Sequence, residues 1–292
     1  MKLLFHKYHG TGNDFILIDN RETKIHLSSR DVAWLCDRNF GIGADGLMFL
    51  TTEPGYDFGM KYFNSDGNES TMCGNGGRCI TAFAQSLGII DHSALFFAID
   101  GEHRSEILND EGDIKQIRLK MMDITKSKIE NRSEAELGGA NRKSKIMIDT
   151  GSPHLLLIVD DVSSIDVVSE GRRMRNDPQF APDGINVDFV EITETGLFVR
   201  TYERGVENET LSCGTGVTAS ALAFTLVEEN LTGTKRSKKQ EARSEKREAK
   251  IETPGGKLTV SFRPVGDSFT DIWLEGPAEF VFHGELEVRG ER

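Results

Sequence analysis

Short apolar segments that alternate with polar residues recur along most of the chain and predict β-strands separated by tight turns. The first two, residues 3–8 and 15–19, flank the polar turn 9–14 and predict a hairpin. The remaining predicted strands lie at 47–50, 58–64, 96–101, 103–108, 114–121, 146–149, 155–161, 186–192, 196–205, 250–253, 257–262, 271–276 and 278–286. Turns containing Gly101, Asn109 and Gly112 are expected between the strands that precede residue 122.

Three segments show helical spacing instead. Residues 28–38 begin with candidate serine caps, and the run after Cys73 keeps helical spacing from Ile80 to Leu87 before ending at Gly88. The third run, residues 217–231, is apolar on most of its circumference, which predicts a helix enclosed by sheet. The predicted fold class is α+β, with a sheet curled around a central helix.

The chain also repeats itself. A shift of 140 positions brings Cys73 and Gly74 onto Cys213 and Gly214, and six of the fifteen positions from 62 to 76 agree. Apolar positions further back match as well, so two copies of one domain are a better explanation than a chance recurrence of Cys-Gly-x-Gly.

The predicted domains are therefore two pseudo-symmetric halves, residues 1–122 with 277–292 and residues 123–276. Residues 126–145 are polar and predict a linker or a long hairpin tip. Within an insertion at about 232–250, residues 235–250 hold eight basic and three acidic side chains, which predicts a solvated loop or a helix extension.

Composition narrows the class of protein. Of 292 residues, 37% are hydrophobic and 28% charged, as in soluble globular proteins, and no apolar run is long enough to cross a bilayer. The net charge of −12 argues against nucleic acid as a partner, and the N-terminus is a poor secretion signal. We therefore expect a cytoplasmic protein without a membrane or nucleic-acid partner.

The four cysteines show no metal-binding spacing with the seven histidines, so no structural metal is expected. Reduced thiols fit a cytosolic protein, and a disulfide between Cys73 and Cys213 is the alternative under oxidising conditions. Cys36 and Cys79 are expected to be buried packing residues.

Cys73 and Cys213 each precede a Gly-x-Gly turn that opens a predicted helix. A helix start offers unpaired N–H groups and roughly half a positive charge, which favours a thiolate and attracts a carboxylate. Two such thiols can act as base and acid on opposite faces of an amino-acid α-carbon. Their protons are expected to titrate as a coupled pair.

Six segments together resemble the diaminopimelate epimerase family of pyridoxal-phosphate-independent epimerases and racemases. They are HGTGNDF, FGIGADG, NSDGNESTMCGNGGRC, GSPH, GINVDFV and ERGVENETLSCGTG, and they span nearly the whole chain. The resemblance implies interconversion of LL- and meso-diaminopimelate in lysine biosynthesis, without a cofactor. It also implies two similar domains, each a curled, barrel-like mixed sheet around a helix, an active site in the cleft between them, and a homodimer.

By position, the resemblance makes Cys73 and Cys213 the catalytic pair, with His154 and Glu203 as neighbours that modulate their pKa values. It implies that backbone groups at the two helix starts hold the substrate α-carboxylate and that polar side chains hold its distal end. The implied substrate-binding residues are Asn13, Asn64, Gly74, Asn75, Asn186, Glu203, Arg204, Gly214 and Thr215.

Ser152 stands where many family members have Asn, and Gly46 where many have Gln, so these two substrate contacts are less certain. A proline racemase-like enzyme on the same scaffold is one alternative, although Arg204 is then without an evident role. A non-catalytic amino-acid-binding or thiol-redox module is another.

Overall fold

The computed structural model describes residues 2–132, 142–232 and 245–287. The chain divides into two compact units: a first unit of Met1–Leu119 with Gly276–Arg292, and a second unit of Lys120–Glu275. The domain boundaries predicted from the repeat, after residues 122 and 276, lie within a few residues of this division.

The first unit contains two helices and a mixed set of strands. They are β1 (Lys2–Gly10), β2 (Asn13–Asp19), α1 (Ser29–Cys36), β3 (Gly46–Thr51), β4 (Phe58–Asn64), β5 (Glu69–Ser70), α2 (Gly74–Ser86), β6 (Ser93–Ala98), β7 (Gly101–Glu111), β8 (Ile114–Lys120) and the later part of β17 (Ser268–Glu287).

Strand pairing in the first unit closes on itself. Neighbours run from β1 through β2, β3, β4, β6, β7 and β8 to β17, and β17 pairs again with β1. Most pairs are antiparallel, whereas β2–β3 and β4–β6 are parallel. A closed sheet leaves few unpaired edges, and its interior must be filled by side chains or by a helix.

Helix α2 fills that interior. Every residue from Gly74 to Ala84 is buried, and the helix packs against β1, β2, β3 and β7. It ends as its sequence predicts: Gly88 adopts φ +69°, and its N–H donates to the Gln85 carbonyl oxygen at 2.9 Å. The first helix, α1, also forms as predicted, because Ser28 and Asp31 form a capping box.

The second unit repeats this plan in the same order. Its elements are β9 (Ile129–Arg132), β10 (Arg142–Asp149), β11 (Pro153–Val159), α3 (Val167–Arg175), β12 (Asn186–Ile192), β13 (Leu197–Glu203), β14 (Asn208–Thr210), α4 (Gly214–Thr232), β15 (Arg247–Thr253), β16 (Gly256–Val265) and the first part of β17. Short 3-10 turns lie at Lys126–Lys128, Val162–Ser164 and Pro178–Phe180.

Neighbours in the second unit run from β9 through β10, β11, β12, β13, β15 and β16 to β17. The parallel pairs, β11–β12 and β13–β15, occupy the same places in the order as those of the first unit. Helix α4 packs against β10, β11, β12, β13, β15 and β16. The predicted fold class, α+β with a curled mixed sheet around a central helix in each half, is confirmed.

Three predictions of local structure were wrong, and one helix was missed. Helix α3 was not predicted, Asn109 lies inside β7 at a register shift, and the two final predicted strands are the single strand β17. Residues 247–250 of the basic insertion belong to β15 and pair with β16, so they are not loop. Residues 233–244 of the insertion and residues 133–141 of the predicted linker lie outside the described residues.

Helix α3 corresponds to α1 under the shift of 140 positions, but its sequence shows only a weak helical pattern. Gly171 interrupts the helix, and its other residues include three arginines. The glycine is needed because a Cβ at this position would collide with the Tyr202 side chain on β13. Close packing of α3 on the sheet therefore explains both the glycine and the weak helical pattern.

Across the described ranges, no helix combines the length and the apolar character needed to cross a membrane.

Candidate active site

In the first unit, Cys73 is the N-cap of α2. Its sulfur accepts a hydrogen bond from the Gly76 N–H at 3.2 Å, and its side chain is half-buried. The first turn of α2 contains no acidic residue. The Gly76 N–H and the positive end of the α2 dipole both act in favour of a thiolate at this position.

A buried hydrogen-bond network lies behind this helix start. The side chain of Asn75 donates to Asn13 Oδ1 at 3.2 Å and accepts from the Arg78 guanidinium at 2.8 Å. Thr11 donates to the same Asn75 oxygen at 3.3 Å. The network brings together two of the predicted substrate-binding residues, Asn13 and Asn75.

Arg78 is the largest fully buried side chain of the described chain. It donates to the carbonyl oxygens of Gly74 and Pro277 as well as to Asn75. Burial lowers the pKa of this guanidinium to about 10, while the neighbouring Cys73 and Cys79 sulfurs act in the opposite direction. The guanidinium is therefore a source of positive charge close to the Cys73 end of α2.

Ion pairs hold the turn that carries Asn13. Asn13 donates to Asp45 at 2.8 Å, and Arg38 bridges Asp45 and Asp14, with both distances at 2.7 Å. Lys7 adds a contact of 2.6 Å to Asp14. Burial raises the pKa of Asp14, but Arg38 and Lys7 outweigh it and lower that pKa to about 2.

Asn64 and Gly46 lie opposite each other where β3 and β4 pair, and the Asn64 side chain is exposed. A Cβ at Gly46 would stand 2.5 Å from the Tyr62 ring and 2.7 Å from the Phe63 carbonyl oxygen. The glycine is thus required by the tyrosine, which occupies the space that a longer side chain at position 46 needs.

In the second unit, Cys213 directly precedes α4 and is buried, with 6% of its surface exposed. Its sulfur lies 3.4 Å from the Thr215 hydroxyl oxygen. Burial, followed by the nearby carboxylates of Glu203 and Asp188, raises the pKa of Cys213 well above its usual range. Cys213 therefore favours the neutral thiol.

A line of hydrogen bonds leads away from Cys213. Thr215 Oγ1 lies 2.9 Å from His154 Nε2, and His154 Nδ1 lies 2.6 Å from Asp188 Oδ2. His154 and Asp188 are both fully buried. An ionised carboxylate can only accept, so Nδ1 carries the imidazole proton and Nε2 faces the Thr215 hydroxyl.

Asn186 connects the remaining predicted residues of this unit. Its amide nitrogen donates to Ser152 Oγ at 2.8 Å, and its amide oxygen accepts from the Arg204 backbone N–H at 2.8 Å. The Arg204 guanidinium contacts the Asp183 carbonyl oxygen at 3.4 Å, and no carboxylate of a described residue lies within ion-pair distance of it. Arg204 is thus available to bind an incoming carboxylate.

Cys36 and Cys79 are buried, as predicted. Burial raises the pKa of Cys36 to about 12 and that of Cys79 further, so neither thiol is poised to ionise. In the part of the chain that the structure describes, no cluster of His, Cys, Asp and Glu side chains is arranged to hold a metal ion.

Four residues that contact the predicted site were not predicted from the sequence: Thr11, Asp45, Arg78 and Asp188. Two of them carried a usable signal. Asp188 follows Asn186 by two positions, so both side chains point to the same face of β12, and a carboxylate on a buried face needs a partner. Arg78 is a charged residue on a helix predicted to be enclosed.

Solved structures of low sequence identity share this fold. A phenazine biosynthesis protein of Bacillus anthracis matches 99% of this chain and 100% of its own, with a TM-score of 0.71 and 15% identity. A hydroxyproline epimerase of Agrobacterium vitis, solved with bound trans-4-OH-L-proline, covers 98% of this chain and 92% of its own, with a TM-score of 0.65 and 14% identity. The chain thus shares its fold with both of these proteins.

Sequence comparison identifies the family of the chain. The family model for diaminopimelate epimerase matches residues 5–124 and 146–281. A diaminopimelate epimerase of Flavobacterium psychrophilum is 44% identical over 97% of this chain and 98% of the relative. One of Chlorobaculum tepidum is 38% identical over 96% of this chain and 99% of the relative. The chain belongs to the diaminopimelate epimerase family.

Proposed function

We propose that the chain is a cofactor-independent epimerase that interconverts LL- and meso-2,6-diaminopimelate, the reaction of its family in lysine biosynthesis. The observation that carries this proposal is the pair of cysteines, Cys73 and Cys213, each at the start of a buried helix in one copy of a duplicated domain. Family membership supplies the substrate, and the local chemistry of the two thiols supplies the reaction.

The reaction needs one base and one acid. A thiolate removes the α-proton, and a thiol on the opposite face of the carbon returns a proton, so the two sulfurs exchange protonation states in each turnover. The half-buried Cys73, with a Gly76 N–H on its sulfur, suits the initial thiolate. The buried Cys213, whose pKa is raised, suits the initial thiol.

The helix starts account for stabilisation of the charge that develops on the substrate. Backbone N–H groups of Gly74, Asn75, Gly214 and Thr215 would donate to the α-carboxylate, because the first N–H groups of a helix have no intrahelical partner. Their fixed dipoles stabilise the carbanion-like transition state without reorganisation.

The distal end of the substrate accounts for the remaining polar residues. Diaminopimelate carries a second amino group and a second carboxylate, which match the half-buried Glu203 and Arg204. Asn13, Asn64 and Asn186 complete the proposed set. A substrate with one carboxylate, such as proline, leaves Arg204 without a role, so this residue favours diaminopimelate over a proline racemase-like reaction.

We further propose that the protein acts in the cytoplasm as a homodimer. The family resemblance supports the dimer, and so does an apolar surface on the first unit. Leu4 on β1 and Val281 on β17 are exposed by 54% and 49% of their surfaces, on two strands that pair with each other. Exposed apolar residues on neighbouring strands are typical of a protein–protein interface.

Cys73→Ala and Cys213→Ala test the two-thiol mechanism. Because each variant removes one of the two proton carriers, we expect turnover to fall by at least about 10²-fold. Purified protein is incubated with LL-diaminopimelate, the stereoisomers are separated, and deuterium uptake from solvent at the α-carbon is followed in parallel.

Cys36→Ala is the matched control, since it removes a buried thiol on α1 that the proposed reaction does not use and should retain turnover. If either Cys73→Ala or Cys213→Ala keeps wild-type turnover, the two-thiol mechanism is wrong. If the wild-type protein neither epimerises diaminopimelate nor exchanges its α-proton, the proposed substrate is wrong.

A further inference from the structure

Asp188 is a buried carboxylate that no step of the proposed reaction uses. Its side chain is fully buried on β12, where an ionised group is costly unless it is paired. Its two oxygens accept from His154 Nδ1 at 2.6 Å and from Thr201 Oγ1 at 2.7 Å. The pairing is specific, and it leads through His154 and Thr215 to Cys213.

The start of α4 is shaped around this carboxylate. A Cβ at Gly216 would collide with Asp188 Oδ1 and stand 3.1 Å from His154 Cε1. The second glycine of the Cys-Gly-x-Gly turn therefore makes room for the Asp188–His154 pair directly beneath Cys213. The pair is thus a built part of this helix start.

The first unit lacks this arrangement at the matching positions. Under the shift of 140 positions, Met48 answers Asp188 and Asp14 answers His154. Asp14 is engaged by Lys7 and Arg38. Near the start of α2, the Met72 N–H donates to Asp100 at 3.2 Å, and Asp100 lies 3.2 Å from His103 Nε2, so the histidine–carboxylate pair of this unit comes from other positions than Asp14 and Met48.

We propose that Asp188 is a positioning residue that enables His154 to take up the proton of Cys213 through the Thr215 hydroxyl. This inference deepens the proposed two-thiol reaction and rests on it for its biological meaning. Asp188 fixes the imidazole with Nε2 toward Thr215 and supplies the negative charge that balances an imidazolium.

The transfer conserves atoms and charge. The Cys213 S–H bond breaks as its proton moves to Thr215 Oγ1, and the Thr215 O–H bond breaks as its proton moves to His154 Nε2. The products are a thiolate, a neutral hydroxyl and an imidazolium held by Asp188. The reverse transfer restores the thiol.

The groups around Cys213 explain why its thiolate needs a positive charge nearby. Burial and the carboxyl groups of Glu203 on β13 and Asp188 on β12 raise the pKa of Cys213, while the Thr215 hydroxyl and the Gly216 N–H lower it. The imidazolium of His154 on β11 would supply the missing positive charge. Asp188 Oδ2 lies 2.6 Å from His154 Nδ1, so its stabilisation of the imidazolium should exceed its repulsion of the thiolate.

Asp188→Asn tests this inference in the intact protein without substrate. Iodoacetamide alkylation of Cys213 and Cys73 is followed by peptide mass spectrometry from about pH 5 to pH 10, which reports the thiolate fraction of each cysteine. Without the balancing carboxylate, we expect the Cys213 midpoint to rise by about one pH unit or more, a tenfold lower thiolate fraction below the midpoint. Because the two cysteines are expected to titrate as a coupled pair, the Cys73 midpoint should move less than the Cys213 midpoint.

The direction in which the Cys213 midpoint shifts distinguishes a positioning role of Asp188 from a simple negative charge near Cys213. If the Cys213 midpoint falls in Asp188→Asn, the carboxylate acts only as a nearby negative charge, and the inference is overturned. An unchanged midpoint overturns it as well. Thr201→Val is the matched control, because it removes a hydrogen bond to the same carboxylate but keeps its charge, and it should leave the Cys213 midpoint in place.

Thr215→Val provides a second variant if Asp188→Asn does not fold. It removes the hydroxyl that links Cys213 to His154 while keeping a similar shape, so the Cys213 midpoint should rise, and no rise overturns the inference. Alkylation is measured without turnover, so its result is distinct from that of the cysteine-to-alanine assay. If the protein does not catalyse the proposed reaction, the alkylation measurement still tests the proton transfer from Cys213 to His154.

Discussion

Gly216→Ala is the change whose effect on stability the structure predicts most sharply. The added methyl group would collide with Asp188 Oδ1 and approach Asp188 Cγ at 3.2 Å and His154 Cε1 at 3.1 Å. The carboxylate is fully buried and accepts hydrogen bonds from His154 and Thr201. Relief of the overlap therefore requires Asp188 to leave its hydrogen-bond partners.

The magnitude follows from those partners. Asp188 accepts from His154 and Thr201, and each charge-assisted hydrogen bond contributes about 1.5–3 kcal/mol. Alanine in a helix gains up to about 1 kcal/mol over glycine. The free energy of unfolding of the variant should consequently fall by at least about 2 kcal/mol. At about 2–4 °C for each kcal/mol, its Tm should fall by about 4–8 °C or more.

Gly76→Ala is the matched control, because Gly76 holds the same place in the first copy of the turn. Its Cβ would stand 3.2 Å from Cys73 Sγ and 3.3 Å from Met48 Sδ. A methionine side chain can shift by the few tenths of an ångström required. The gain in helix propensity should offset the contact, so its Tm should stay within about 2 °C of the wild-type value.

Differential scanning calorimetry of both variants, with urea midpoints as a second measure, checks the pair. Equal Tm values for Gly216→Ala and Gly76→Ala would show that Asp188 is not confined as the geometry indicates. A more stable Gly216→Ala would show that the carboxylate leaves its site at little cost.

Two further predictions concern the first unit. The pKa of Asp14 is lowered from 3.8 to about 2, so its ionised form stabilises the fold above about pH 4, and this contribution is lost as the pH falls toward 2. Asp14→Asn should therefore be less stable than the wild type at pH 7. Between pH 4 and pH 2, its urea midpoint should decline less than that of the wild type. An equally steep decline in the variant would contradict the ion-pair account. The proposed dimer predicts that Leu4→Lys sediments as a monomer while Phe40→Lys, at another exposed apolar residue, stays dimeric; a monomeric wild-type protein would refute the proposal.

Both central helices and most strands were predictable because each is marked by a pattern of residues that are close together in the sequence. Cys73 and Cys213 mark the helix starts, and β12 begins at Asn186 as predicted. The repeat also showed that the two halves share one plan. These features depend on periodicity and turn residues, which a single sequence displays directly.

The parts that were missed depend on contacts between distant residues. Gly171 weakens the helical pattern of α3, and its reason is the Tyr202 side chain on β13. The sequence alone gives no reason for a glycine at position 46, whereas in the fold a Cβ there would collide with the Tyr62 ring. Asp188 shows its partner only once β11 and β12 pair. In each case the partner is brought close by the packing of the sheet, and the neighbouring sequence does not show which residue that partner is.

The long strand β17 has a consequence for how the protein is made. Residues Lys120–Glu275 are contiguous, whereas the first unit needs Gly276 and the residues after it to complete its sheet. During synthesis on a ribosome, β1 and β8 must wait with open edges until nearly the whole polypeptide has emerged. The half that is translated first is therefore the half that finishes folding last, and it is exposed to aggregation for longer.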